Sequence, residues 1–335
     1  MPLWANLALF AAAAAVVWIA GTKIARYADG IAENTRLGRE VLGMVLLGGV
    51  TSLPELAVAS TAALAGHPAL SVNDVLGSAA INVVIIALAD AMIGRDAITS
   101  VLASPGLLLQ GVLGIVLFAV VAAAAMTVAL PFAGASVWTW LLLLGYAASV
   151  WVISRSHSKQ AWTASRRHRE KPPKQEPPGA LRPLVIRTAL AGAAVLVAGY
   201  FLAKSGESIA QQTGLGTSFV GAVLLAASTS LPEVSTVLGA VRLRRYEMAI
   251  SDVFGTNLFN VAILFVVDLL YTGGPALAEG GRFAGFGALL AVMVTAIYLV
   301  GMIERRDRTV LRMGYDSLAV LVVYFGGVAL LYQLR

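Results

Sequence analysis

Cysteine is absent from this sequence, so neither a disulfide framework nor thiolate metal chemistry is available, and redox functions lose most of their support. Histidine is scarce: His67, His157 and His168 all fall in expected loops, which leaves no imidazole for a proton relay inside the apolar segments. Charge is the third scarcity. Only 13% of the 335 residues are charged while 59% are hydrophobic, far more apolar surface than one soluble core could hide. No nucleophile–base pair or phosphate-binding loop accompanies the few acidic residues, so an enzyme has little support and no cofactor is expected.

What the chain does contain is a series of apolar runs, each near the roughly 20 residues that a helix needs to cross a hydrocarbon layer. Ten are read, at 3–21, 38–64, 69–93, 105–126, 132–153, 184–203, 216–241, 247–271, 281–303 and 314–334. They predict an all-α integral membrane protein with ten transmembrane helices, arranged as a first five-helix unit (1–154), a basic linker (155–183) and a second five-helix unit (184–335). The first run lacks a basic n-region and a cleavage site, so it is read as a span and not as a signal peptide.

The net charge of +6 collects in alternate loops, which argues for topology and against a nucleic-acid partner. Lys23, Arg26, Arg36 and Arg39 follow the first run, Arg95 the third, Arg242, Arg244 and Arg245 the seventh, and Arg305, Arg306, Arg308 and Arg312 the ninth. The densest cluster, Arg155 to Arg182, is the linker; Lys204, Arg282 and Arg335 fall on the opposite side. The positive-inside rule then predicts a cytoplasmic linker and both termini outside, in a cell (inner) membrane.

Comparing the chain with itself is more informative. A shift of 178 positions superposes polar and glycine landmarks without a gap: Asp29 on Glu207, Gly43 on Gly221, Thr51 to Glu55 on Thr229 to Glu233, Asp74 on Asp252, Gly77 on Gly255, Asn82 on Asn260 and Asp90 on Asp268. Five spans per half is an odd number, so the second half is expected to enter the bilayer in the opposite orientation. Inverted repeats of this kind surround a midplane site and permit alternating access.

The repeated segment is Thr-Ser-Leu-Pro-Glu. Glu55 and Glu233 stand in apolar spans, where an isolated charge costs several kcal/mol, of order 3 on insertion scales. No Lys or Arg lies near either one in the same spans, so the expected counter-charge is a bound cation or a proton. Pro54 and Pro232 lack an amide hydrogen, which frees the carbonyls of Val50 and Ser228. Thr51 and Ser52 lie four and three residues before Glu55, so their oxygens converge near that break, and Thr229 and Ser230 repeat the arrangement before Glu233.

The following spans add Ser78 and Asn82, and Thr256 and Asn260, each pair on one helical face. Two carboxylates, two amides and several hydroxyls, without sulfur or imidazole, suit hard cations; a site charge of −2 suits one Ca²⁺, with Na⁺ sharing the same oxygens. Asp74 and Asp252 lie one turn before Ser78 and Thr256. Helix capping is the plain expectation for them, and an added proton or cation site along the pathway the sharper one. Asp90 and Asp268, toward the far ends of their spans, are read as structural.

These residues resemble the sodium/calcium exchanger branch of the calcium/cation antiporter superfamily, in small prokaryotic form, whose repeats carry Gly-Thr-Ser-Leu-Pro-Glu followed by Gly-Ser-Asn. The spacing of 27 positions from Glu55 to Asn82 recurs from Glu233 to Asn260. The resemblance implies a central Ca²⁺/Na⁺ site of Glu55, Asn82, Glu233 and Asn260. It also implies flanking Na⁺ sites using Thr51, Ser52, Ser78, Thr229, Ser230 and Thr256, and spans one and six sliding against the other eight. It implies antiport of Ca²⁺ against Na⁺ by a monomeric functional unit, with H⁺ coupling as the alternative. Val50 and Ser228 replace the glycine before Thr-Ser, and Ala79 replaces the asparagine of Gly-Ser-Asn.

Overall fold

The computed structural model describes residues 1–35, 48–93, 98–101, 105–128, 130–156, 181–242, 246–304, 309–310 and 313–334. The start of the expected second span, the landmark Gly43, most of the linker and the loop arginines at 36, 39, 95, 244, 245, 305, 306, 308, 312 and 335 lie outside the described residues. The helices are α1 (Leu3–Thr35), α2 (Gly48–Thr51), α3 (Leu53–Leu64), α4 (Pro68–Ile93), α5 (Pro105–Met126), α6 (Val137–Ser156) and α7 (Leu181–Thr213). They continue with α8 (Thr217–Val220), a π-helical turn (Gly221–Leu225), α9 (Ala226–Thr229), α10 (Leu231–Arg242), α11 (Tyr246–Leu270), α12 (Ala276–Glu304) and α13 (Tyr315–Leu334).

Eight described helices are long and apolar enough to cross a membrane, and a ninth span results if the pair bent by 44° at Ser230 counts as one. Of the expected second span, 38–64, the described part is α2 and the short apolar helix α3. Large side chains such as Trp4, Leu190, Val197, Val322 and Phe325 face outward, while Glu55, Asn82, Glu233 and Asn260 are buried. That is the reverse of a soluble fold, in the sense lipid demands.

Two expectations change and one holds. The helices expected at 3–21 and 184–203 continue to Thr35 and Thr213, giving two 33-residue helices. At 1.5 Å per residue each is about 50 Å long, well beyond the hydrocarbon thickness. The fifth span does not begin at 132: Pro131–Phe132 pairs with Ala135–Ser136 in a two-stranded hairpin. Its turn needs positive φ at Ala133 and Gly134. Finally, α12 carries a non-helical Gly281 (φ 49°) five residues after its start, so the straight span begins there, as the sequence reading placed it.

Packing divides the helices into a core and a lateral pair. The largest apolar cluster joins α4, α5, α11 and α12, with α4 and α11 the most enclosed. The long helices α1 and α7 contribute instead to separate clusters, Ala13 and Val17 with Ala198 and Leu202 against Val58, Ala62, Leu70, Val220 and Leu225, and Ala20 and Ile24 with Val195. The pair meets its neighbours through these apolar side chains and at two glycines. A Cβ on Gly21 would lie 2.4 Å from the Pro232 side chain, and one on Gly199 the same distance from Ala57.

Asp90 and Asp268 hold the ends of the core together. Asp90 accepts the Ile98 amide through Oδ1 (2.7 Å), and the Gly314 amide (2.7 Å) and Ser317 hydroxyl (2.8 Å) through Oδ2. Asp268 accepts the Ala276 amide through Oδ1 (2.6 Å), and the Ser136 amide (2.6 Å) and Thr139 hydroxyl (2.7 Å) through Oδ2. Every partner is displaced by the same 178 positions, as is the second hairpin, Thr309–Val310 with Met313–Gly314. Each carboxylate takes one bond from its own half and two from the other.

Removing either carboxylate strands two buried amides and a hydroxyl, at about 1–3 kcal/mol for each unsatisfied group. Asp90→Ala and Asp268→Ala are therefore expected to lower the melting temperature of purified, detergent-solubilised protein by similar amounts. Thermal unfolding checks this, and Asp→Glu at the same positions recovers part of the loss.

Candidate cation site

The site begins with two breaks. Pro54 and Pro232 cannot donate to the carbonyls four residues back, and the helices divide at Ser52 (φ −78°, ψ 5°) and Ser230 (φ −79°, ψ 7°). Val50 and Ser228 in place of glycine do not prevent this, because the missing amide alone sets the position of the break. Ser52 spends its hydroxyl on the Gly48 carbonyl (2.7 Å), and Thr229 bonds weakly to that of Ala226 (3.3 Å).

Each break is crossed closely by the central helix of the other half. A Cβ on Gly77 of α4 would lie 2.2 Å from the Ala222 carbonyl oxygen in the π-helical turn, and one on Gly221 would lie 2.7 Å from the Leu70 carbonyl. On the other side, a Cβ on Gly48 would sit 2.9 Å from the Thr256 amide of α11. Backbone-to-backbone approach of this kind requires glycine and brings hydroxyls from opposite halves into bonding distance.

Hydrogen bonds within and between the halves result. Ser78 donates to Glu55 Oε1 (2.7 Å), its hydroxyl also lies 2.6 Å from Ser230 Oγ, and Thr51 and Thr256 hydroxyls meet at 3.2 Å. Thr229 reaches Asp74 Oδ1 at 3.3 Å. Asn82 donates to Asn257 Oδ1 (3.1 Å), and Asn257 donates to the Ala79 carbonyl (3.0 Å).

What remains unbonded defines the centre. Glu55 Oε2, both oxygens of Glu233, Asn82 Oδ1 and both amide atoms of Asn260 have no hydrogen-bond partner and no exposure to solvent. Asp74 Oδ2 and Asp252 Oδ1 are also unpartnered. Among the described residues none of these four carboxylates meets Lys, Arg or His in an ion pair. Nor do any three acidic or imidazole side chains gather tightly enough to hold a metal alone. A cation here would need amide and hydroxyl oxygens beside the carboxylates, the ligand set of a hard ion.

The model of the family described as "Sodium/calcium exchanger protein" matches residues 5–155 and 184–333. This chain belongs to that family. Such proteins are transporters and not enzymes, and the chain is an integral membrane protein. It is 26% identical over 312 residues to the antiporter CaxA of Alkalimonas amylolytica, covering 91% of this chain and 92% of that one. It is 24% identical over 138 residues to the sodium/calcium exchanger MaX1 of Methanosarcina acetivorans, about 40% of each. Its fold is similar to that of the sodium-calcium exchanger NCX_Mj soaked with 100 mM Na⁺ and 10 mM Sr²⁺ (TM-score 0.66, 16% identity, 98% of this chain and 99% of that one). The same exchanger in 10 mM Na⁺ without Ca²⁺ gives a TM-score of 0.65.

In this member of the exchanger family the sequence-predicted oxygens are thus distributed unequally. Ser78, Ser230, Thr51 and Thr256 bond to one another or to Glu55, whereas Ser52 turns to its own backbone. Asp74 and Asp252 are not helix caps. Each is the seventh residue of its helix and fully enclosed, bonded sideways to Thr229 and Thr236 respectively. His67 is not simply solvated, because its Nε2 lies 2.8 Å from Glu207 Oε1 of α7. Asn257 was missed, although its place as third residue of the second Gly-Thr-Asn, opposite Ala79, was a legible signal.

The glycine contacts carry a direct test. Gly77→Ala forces a methyl into the Ala222 carbonyl and is expected to lower thermal stability sharply, whereas Gly114→Ala on α5, with nothing within 4 Å of its Cβ, is expected to be tolerated. Melting curves of the two variants side by side check the difference.

Proposed function

We propose that this chain is a Na⁺-driven Ca²⁺ antiporter working by alternating access. The observation that carries the reading is the group of enclosed, unpartnered oxygens on Glu55, Glu233, Asn82 and Asn260, drawn from two broken helices and the two helices that cross them. Glu55, Asn82, Glu233 and Asn260 hold Ca²⁺, and both glutamates also serve Na⁺. Thr51, Ser52, Ser78, Thr229, Ser230 and Thr256 add hydroxyl or backbone oxygens to flanking Na⁺ sites. All these groups lie on one chain, so the functional unit is a monomer. Two or three Na⁺ competing with one Ca²⁺ for the same carboxylates give exchange without contact between the substrates. The relatives named as an antiporter and as sodium/calcium exchangers support this assignment.

The chain is organised as ten transmembrane helices in two inverted five-helix repeats, 1–154 and 184–335, joined by a cytoplasmic linker 155–183, with both termini outside. The shared displacement of the Asp90 and Asp268 partners supports the repeat. Access alternates as α1 and α7 slide against the core. Their place outside the largest apolar cluster, and the close side-chain-free contacts of Gly21 on Pro232 and Gly199 on Ala57, support that motion.

A second reading, H⁺-coupled cation antiport, draws on Asp74 and Asp252, which carry enclosed, unpartnered oxygens in addition to those of Glu55 and Glu233. Uptake of ⁴⁵Ca²⁺ into proteoliposomes separates the two. Sodium-loaded vesicles diluted into sodium-free medium are expected to accumulate Ca²⁺, and Glu55→Gln or Glu233→Gln to abolish it. Accumulation driven by a pH gradient and not by Na⁺ would replace the first reading with the second. Retained transport in both glutamine variants would overturn the site.

A further inference from the structure

The clearest departure from the repeat inside the site is Asn257, and we infer that it is a positioning residue that decides which atom of Asn82 faces the cation, an inference resting on the exchange site proposed above. Asn257 lies on α11, three residues before Asn260, and is 3% exposed. It reaches across to α4, where its Nδ2 donates to the Ala79 carbonyl at 3.0 Å and its Oδ1 accepts from Asn82 Nδ2 at 3.1 Å.

The order of donors is dictated from one end. A backbone carbonyl only accepts, and its second lone pair is open even within a helix. The end of Asn257 that meets Ala79 must therefore be the NH₂ group. Its oxygen is left for Asn82, which must answer with its own NH₂. Asn82 Oδ1 is then turned away, enclosed and without a partner. A cation is attracted by that oxygen and would be repelled by the N–H groups of a flipped amide. The carbonyl of Ala79, two bonds away, thus fixes the ligand atom that Asn82 presents.

The device exists once. A shift of 178 positions pairs Asn257 with Ala79 itself, which has no amide to return the contact. Asn260 accordingly has neither amide atom engaged, and its orientation is left to whatever ion is bound. One amide ligand is preset and the other adapts, which makes the two sides of the site unequal although the segments around them repeat.

The test uses ⁴⁵Ca²⁺ uptake by the full-length chain in proteoliposomes, with Asn257→Ala in two backgrounds. Asp at position 82 presents oxygen in either orientation, so the Asn82→Asp background removes the need for Asn257. The Ca²⁺ concentration for half-maximal uptake is expected to rise roughly tenfold for Asn257→Ala with Asn82 intact, and by less than about twofold in Asn82→Asp. Asn257→Leu, which keeps the volume without polar atoms, is run alongside, with size-exclusion profiles to separate misfolding from lost affinity. Equal losses in both backgrounds would show a mere tie between α4 and α11 and overturn the inference. So would no change with Asn82 intact, or an Asn82→Asp variant that no longer takes up Ca²⁺. Glu55→Gln in the same assay reports on the exchange site separately: an inactive Glu55→Gln beside an unaffected Asn257→Ala overturns the positioning role alone.

Discussion

A polar atom enclosed by hydrocarbon and protein has no water to turn to, so it must be bonded or must hold an ion. Most of this chain obeys the first alternative. Threonine and serine hydroxyls fold back onto their helices, as Thr188 does on Leu184 and Ser205 on Phe201. Asp90 and Asp268 saturate themselves with three donors each. The oxygens on Glu55, Glu233, Asn82 and Asn260 do not, and they come from the two broken helices and the two helices that cross them.

That arrangement depends on a division of labour between proline and glycine. Proline opens the helix without needing a flexible residue beside it, which is why Val50 and Ser228 are tolerated. Glycine at 48, 77 and 221 then lets a neighbouring backbone come within reach of the opening. Neither suffices alone. A break without close approach leaves the hydroxyls of the other half too far to bond, and close approach without a break offers no carboxylate to meet.

The carboxylate pins serve the opposite purpose. Asp90 and Asp268 tie each half to the other at the ends of α4 and α11, about two turns beyond Asn82 and Asn260, and keep the core one body. The long helices α1 and α7 share none of these bonds and pack in apolar clusters apart from the largest one, together with residues of α3, α4 and the second broken helix. A core tied end to end beside a lateral pair held by apolar and glycine contacts is the arrangement on which the proposed sliding access rests.

Much of this was legible in the sequence. Apolar length fixes membrane spans because hydrocarbon thickness is constant, and the shift of 178 positions exposes the repeat because a site built twice needs the same chemistry twice. Pro54 and Pro232 announce the breaks, since a missing amide is a covalent fact. Other features needed the tertiary structure. The full lengths of α1 and α7 were hidden because polar residues at a helix end carry no apolar signal. Asp74 and Asp252 looked like caps until their burial and sideways bonds to Thr229 and Thr236 were seen. The role of Asn257 lies entirely in a contact 178 residues distant in the chain, with the carbonyl of Ala79. Composition and spacing determined that the chain crosses a membrane and carries the same oxygen-bearing residues twice. Which of those oxygens are left free was decided only in three dimensions, because a hydrogen bond between helices depends on where two backbones meet and not on the identity of either residue alone.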